Sequence, residues 1–214
     1  DLARRYLGTL PSSGRVETVD YVEPPPPSGI VEEQVGAGQG EQASVSLLFT
    51  APASSDRADD VAALVVQEII TNRLTDTIRE ELGDSYSPFA VVSVGPGGSP
   101  NAETYISNTT GVDLVEEVEQ AVLAQLADLR DSGPSDTELD AAIETVRQQL
   151  ELFSNEQIND EMLALLTDPG GTASFGEFLG QAGEVAPIDT DRVREYLRAW
   201  LPADQYIEVV VVPR

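Results

Sequence analysis

Between Val61 and Leu82, apolar residues return at every fourth position: Val61, Val65 and Ile69, then Ile70, Leu74, Ile78 and Leu82. That spacing keeps side chains on one face of an α-helix. The segment reads as a long helix, with Ser54-Ser55-Asp56 offering an N-cap and Gly83 a stop. Before it, Ala43, Val45, Leu47 and Phe49 alternate with Ser44, Ser46, Leu48 and Thr50, the two-residue period of a strand, ended by Pro52. After it, Phe89 to Val94 and Glu103 to Asn108 read as strands joined through the Gly/Pro cluster Gly95 to Pro100. A long helix set between locally pairing strands restricts the chain to folds in which helices pack on a sheet.

The remaining elements extend the pattern. Leu2 to Leu7 reads as a helix tail closed by Gly8, and a tail without a beginning predicts that the sequence belongs to a longer protein. Ser12 to Ser28 is polar and Pro-rich, with Pro24 to Pro27 in one run, so residues 1–28 read as a helix tail and an extended linker. Residues 29–214 read as one domain, entered by a strand over Ile30 to Val35. A second long helix is expected from Asp113 to Asp131, with Val115, Val118, Val122, Leu126 and Leu129 on one face and Gly133-Pro134 as its break. Ser135-Asp136-Thr137-Glu138 is a capping box opening a third helix through Leu139, Ile143, Val146, Leu150 and Phe153. A shorter helix carries Met162, Leu163, Leu165 and Leu166 ahead of Pro169-Gly170-Gly171, and a last helix runs from Asp191 to Leu201. Tyr206 to Val212, with four consecutive valines, reads as a buried closing strand. The order predicts an α+β fold, a single largely antiparallel sheet with helices packed on one face.

Composition removes most chemistries. The chain has no His and no Cys, so it lacks the usual general base, the commonest zinc ligand, a thiolate ligand and a disulfide framework. Ser85 and Ser174 have no imidazole or lysine to activate them, which argues against serine catalysis. Only carboxylates remain as metal ligands, and no loop has the EF-hand spacing. The 12 basic residues, all Arg, face 38 acidic ones for a net charge of −26. Such a surface repels phosphate backbones and anionic lipid, which excludes nucleic-acid and membrane-surface roles. No apolar run approaches the ~18 residues that a membrane span needs. Two readings of the acidity stand side by side: a solvated surface suited to high salt, and steering of basic peptides.

The segment Thr77 to Ala90, TIREELGDSYSPFA, is the richest in chemistry. Arg79 falls in the last turn of the long helix, and Tyr86 follows seven residues later, past Gly83. A helix end, a turn and a strand start can bring a guanidinium and a phenol together, where they can hold a carbonyl oxygen or an oxyanion. The bland alternative is an Arg set against the helix dipole and a Tyr at a strand edge. Glu80 and Glu81 point about 100° apart as helix neighbours and do not converge on one atom. Asp59-Asp60, Glu116-Glu117 and Asp189-Thr190-Asp191 read as solvated faces or helix N-terminal acids. Gly95-Pro96-Gly97-Gly98 lies between strands and has no P-loop Lys, so it is a turn and not a phosphate cradle.

Over nearly its whole length the chain resembles the C-terminal repeat of pitrilysin/insulinase-family zinc metallopeptidases. The resemblance rests on YLGTLP, on RLTDTIREELGDSYSPFA, on LADLRDSGPSDTELDAA and on VREYLRAWLPADQYIEVVVVP, of which REELGDSYSPFA is the most specific. It implies the metallopeptidase LuxS/MPP-like fold, with two homologous repeats or subunits closing on a chamber and the first strand of this repeat lying before Asp1. In the family the active repeat carries a His-x-x-Glu-His motif and a distal Glu, with zinc. This chain lacks that motif, so the resemblance makes it the inactive repeat and puts zinc in the partner N-terminal repeat. It also implies that Arg79 and Tyr86, matching a family Arg–Tyr pair in type and spacing, reach a peptide substrate near that zinc. The implied function is a non-catalytic, substrate-binding domain of a two-repeat zinc metalloendopeptidase. The alternative is a structural scaffold of the same fold without peptidase activity. The likeness to larger bacterial members implies a periplasmic or secreted location.

Overall fold

The computed structural model describes residues 5, 8, 25–37, 40–53, 57–80, 88–95, 99–151, 158–159, 162–163, 183, 185 and 187–214. Strands β1 (Ile30–Gly36), β2 (Gln42–Pro52), β3 (Phe89–Val94), β4 (Asn101–Gly111) and β5 (Tyr206–Val212) form a sheet in the order β1-β5-β2-β4-β3. β1 runs parallel to β5, and the other three neighbouring pairs are antiparallel. The helices are α1 (Arg57–Glu80), α2 (Val115–Ser132), α3 (Asp136–Glu151) and α4 (Thr190–Trp200). This is the expected α+β class with a mostly antiparallel sheet. Among the described residues no helix is long and apolar enough to cross a membrane.

The period-two pattern of β2 settles which face is inside. Ala43, Val45, Leu47, Phe49 and Ala51 are buried, while Ser44, Ser46, Leu48 and Thr50 are half-exposed on the other side. Val65, Val66, Ile70, Leu74 and Ile78 of α1 are fully buried in the same cluster, with Val118, Val122, Leu126 and Leu129 of α2 and Leu139, Val146 and Leu150 of α3. Each such side chain contributes about 1.5–3 kcal/mol by leaving water, which explains why these helices cover that face. α2 stops at Gly133, whose φ of 78° suits glycine and whose N–H donates to the Leu129 carbonyl at 2.9 Å.

Two expectations needed correction. The strand read over Glu103 to Asn108 runs from Asn101 to Gly111, paired with β2 residue for residue along its length. Its inward positions include Thr104, Asn108 and Thr110, polar residues that interrupt the apolar alternation by which a strand is recognised. The closing valines, Val209 to Val212, are half-exposed and not buried, and Val209 and Val211 lie on the face that the helices leave open. All but residue 5 of the helix tail from Leu2 to Leu7, most of the Pro-rich linker, the Ser54-Ser55-Asp56 cap, Gly83, Phe153 and all but residues 162–163 of the shorter helix lie outside the described residues.

Candidate functional site

The long helix α1 is fixed against the sheet by its polar side chains as well as its apolar ones. At the outer edge of β3 the Ala90 N–H donates to Thr71 Oγ1 at 3.3 Å and the Val92 N–H donates to Gln67 Oε1 at 3.2 Å. These bonds occupy edge groups that would otherwise invite another strand. Lower on α1, Arg73 donates to Glu138 of α3 through Nε and Nη2 and to Asp128 of α2 at 2.8 Å. Glu138 also accepts from the Ser135 N–H at 2.8 Å and the Ser135 hydroxyl at 2.7 Å, while its own N–H donates to Ser135 Oγ at 3.3 Å. The capping box read from the sequence is therefore present, and it doubles as an anchor for α1. Burial pushes the Glu138 carboxyl up, but Arg73 and Ser135 outweigh it and hold it down at about 2.

Arg79 lies two turns beyond the Arg73 anchor, in the last turn of α1. Thr77 and Ile78 beside it are buried, whereas Arg79 is exposed. The helix end is thus held while Arg79 itself stays exposed. Tyr86 lies outside the described residues. The described elements that bracket it are α1 and β3, which pack against each other.

Three polar groupings escaped the sequence reading. Asp59, expected on a solvated face, is only 8% exposed and accepts from the Tyr196 hydroxyl of α4 at 2.7 Å. Arg192 donates to the same hydroxyl at 3.0 Å, and Trp200 stacks on Tyr196 with ring centroids 4.5 Å apart. Burial and then Asp59 raise the Tyr196 phenol, against the lowering effect of Arg192. The second grouping is the Arg73–Glu138–Asp128 cluster. The third surrounds Glu208 on the inner face of β5, which is 4% exposed and stands opposite Glu32 in the parallel register. Spacing within α4 hinted at the Arg192–Tyr196 pair, one turn apart, but cross-element partners carry no such local signal.

The uncovered face of the sheet is the other large feature. Rows run across it: Val31, Ile207, Leu48, Tyr105 and Val91 in one, Glu33, Val209, Ser46, Ser107 and Phe89 in the next. Ser46 Oγ lies 3.2 Å from the Tyr105 hydroxyl and 3.1 Å from Ser107 Oγ, and the Phe89 and Tyr105 rings are 5.8 Å apart. Phe89, Val35 and Val91 remain 48%, 44% and 42% exposed. A contiguous face of this kind is more apolar than solvent alone requires.

The donor set does not fit zinc. The chain has no imidazole or thiolate, and among the described residues no group of three or more acidic side chains could hold a metal ion.

No curated protein matches the sequence. Among solved structures, a peptidase M16 inactive domain from Pseudomonas fluorescens superposes with a TM-score of 0.72 at 19% identity, covering 92% of this chain and 47% of that one. A protease from Helicobacter pylori gives a TM-score of 0.79 at 12% identity, covering 99% of this chain and 51% of that one. The periplasmic protease PqqL from Escherichia coli gives 0.72 at 18% identity, covering all of this chain and 24% of that one. The chain thus spans about half the length of the first two and a quarter of the third. The family model described as the peptidase M16 inactive domain matches residues 1–146 of the 214. By that match over more than half its length, the chain belongs to the peptidase M16 inactive-domain family.

Proposed function

We propose that this chain is the non-catalytic, substrate-gripping part of a two-repeat zinc metalloendopeptidase that hydrolyses peptides. The observation that carries the reading is a peptidase-family domain without a single imidazole, so that the water-activating chemistry must come from a partner N-terminal repeat or subunit, which would also hold the zinc. The half-apolar open face of the sheet supports such a partner, since a second repeat packed there would remove Phe89, Val91 and Val35 from water. The exposed guanidinium of Arg79 on a fixed helix end supports a contact role for that residue, with the Tyr86 phenol as the second donor. Two donors on a peptide carbonyl would orient it and stabilise the negative charge that grows on its oxygen. PqqL, described as periplasmic, supports a periplasmic or secreted setting for this chain also.

Arg79→Ala and Tyr86→Phe test the role, each in the full protein that contains the catalytic repeat. Loss of one oxyanion donor lowers turnover by about 10²–10³ in well-studied hydrolases, whereas loss of a donor to the ground-state peptide raises KM. Melting temperature and zinc content should stay unchanged. Variants that melt early yet keep full activity per folded molecule would overturn the gripping role. A parent protein with no His-x-x-Glu-His motif in its other repeat would favour the scaffold reading.

A further inference from the structure

We infer that the cleft between the start of α1 and α4 is a binding site for the guanidinium of an arginine side chain in a peptide, with Tyr196 as its platform. The cleft has a volume of about 310 Å3 and is lined by Asp59 of α1, by Arg192, Glu195, Tyr196 and Trp200 of α4, and by Pro52 and Ala53 at the end of β2. That is the lower end of the range for ligand pockets, and it suits one long side chain better than a cofactor. The aromatic wall is fixed in place. Asp59 is 8% exposed and accepts from the Tyr196 hydroxyl at 2.7 Å, while the Tyr196 ring stacks on Trp200, itself 3% exposed. The site belongs to this chain alone and does not depend on an attached catalytic repeat.

The chain itself shows what this ring accepts. The Arg192 guanidinium carbon lies 5.5 Å from the Tyr196 ring centroid, and its Nε and Nη2 donate to the hydroxyl at 3.1 and 3.0 Å. This is a cation–π contact joined to a hydrogen bond. Arg73, Arg130, Arg147 and Arg194 are each paired with a carboxylate, whereas Arg192 makes no ion pair among the described residues. Exposed and tied to a phenol alone, it is a guanidinium that can be exchanged. Glu195 is also exposed and has no ion pair among the described residues, so the cleft holds two carboxylates for one loosely tied cation. An incoming guanidinium takes the seat on Tyr196 as Arg192 swings into water, and it gains Glu195 at the rim. Its methylene stem lies along Pro52 and Ala53. Asp59 and Glu195 disfavour an anion here, and a lysine lacks the planar fork that stacks on a ring and donates to its hydroxyl. The net charge of −26 draws basic peptides to the surface as a whole.

Trp200 is the single tryptophan of the chain, so its fluorescence reads the site without a label. The probe is N-acetyl-arginine methylamide, titrated into the whole chain at pH 7 and low salt. N-acetyl-citrulline methylamide, of the same shape without the charge, is the control. The arginine probe should saturate with a dissociation constant in the millimolar range, and the citrulline probe should bind at least about tenfold more weakly. Arg192→Ala vacates the seat and should tighten binding about threefold. Glu195→Gln should weaken it about threefold, and Glu117→Gln, at an exposed position on α2, should leave it unchanged. All three side chains are exposed, so the fold is not at stake. No saturable response, equal binding of citrulline, or weaker binding by Arg192→Ala would overturn the site. So would a loss from Glu117→Gln as large as that from Glu195→Gln, which would mark diffuse attraction to an acidic surface.

Discussion

Glu138→Gln perturbs the junction of α1, α2 and α3 with almost no change of shape. The side chain accepts two hydrogen bonds from Arg73 and two from Ser135, and it is 32% exposed. Its carboxyl is held at about 2 in the fold against an ordinary 4.5, which sets a ceiling of about 3 kcal/mol. Solvent screening of a one-third exposed group reduces that to roughly 2 kcal/mol. Glutamine keeps an acceptor for Ser135 but turns a donor or a neutral oxygen toward the guanidinium, so most of that figure should be lost at pH 7. In a chain of this length the loss lowers the melting temperature by about 4–8 °C. A carboxyl depressed in the fold stabilises above its unfolded value and loses that contribution as pH falls from 4.5 toward 2. Urea unfolding followed by circular dichroism at pH 7, 5, 4 and 3 should show a constant deficit for the variant down to about pH 5 and less than half of it at pH 3. Urea is uncharged and leaves the ion pair unscreened during the measurement. A deficit below about 0.5 kcal/mol at pH 7, or one as large at pH 3 as at pH 7, would refute the assignment of the stability to the ionised Arg73–Glu138 contact.

Tyr196→Phe removes the hydroxyl that donates to the buried carboxylate of Asp59, and thermal melts should show a loss of about 1–3 kcal/mol. A net charge of −26 repels itself, so melting temperature should rise from low to molar NaCl, and a flat or falling response in calorimetric scans would count against salt adaptation. The purified chain should bind no zinc stoichiometrically in titration calorimetry, because it has no imidazole or thiolate to offer.

What the sequence made legible were features written within one turn or one strand. The four-residue ladder of α1, the two-residue alternation of β2 and the Ser135–Glu138 capping box depend on neighbours a few positions apart, and each is present. Arg79 was legible for the same reason, as a cation in a helix's last turn, and its exposure agrees with that placement. Arg73 joined to Glu138 and Asp128, Tyr196 to Asp59, and Glu208 to Glu32 are contacts between distant segments, fixed only by strand register and helix packing. Asp59 shows the cost of reading locally: acids in a helix's first turn are ordinarily solvated, and only the approach of α4 buries this one.

The four closing valines raise the same issue from the other direction. A strand apolar on successive residues reads as one covered on both faces, yet the helices here cover one. Along β5 the inward residues are Tyr206, Glu208, Val210 and Val212, and the outward ones are Ile207, Val209 and Val211, so every outward side chain is aliphatic. Val31 and Val35 of β1 and Leu48 of β2 continue that surface on both flanks. The pattern fits a strand selected for two covers, one from its own helices and one from outside the described elements. In the proposed two-repeat arrangement the second cover is the partner.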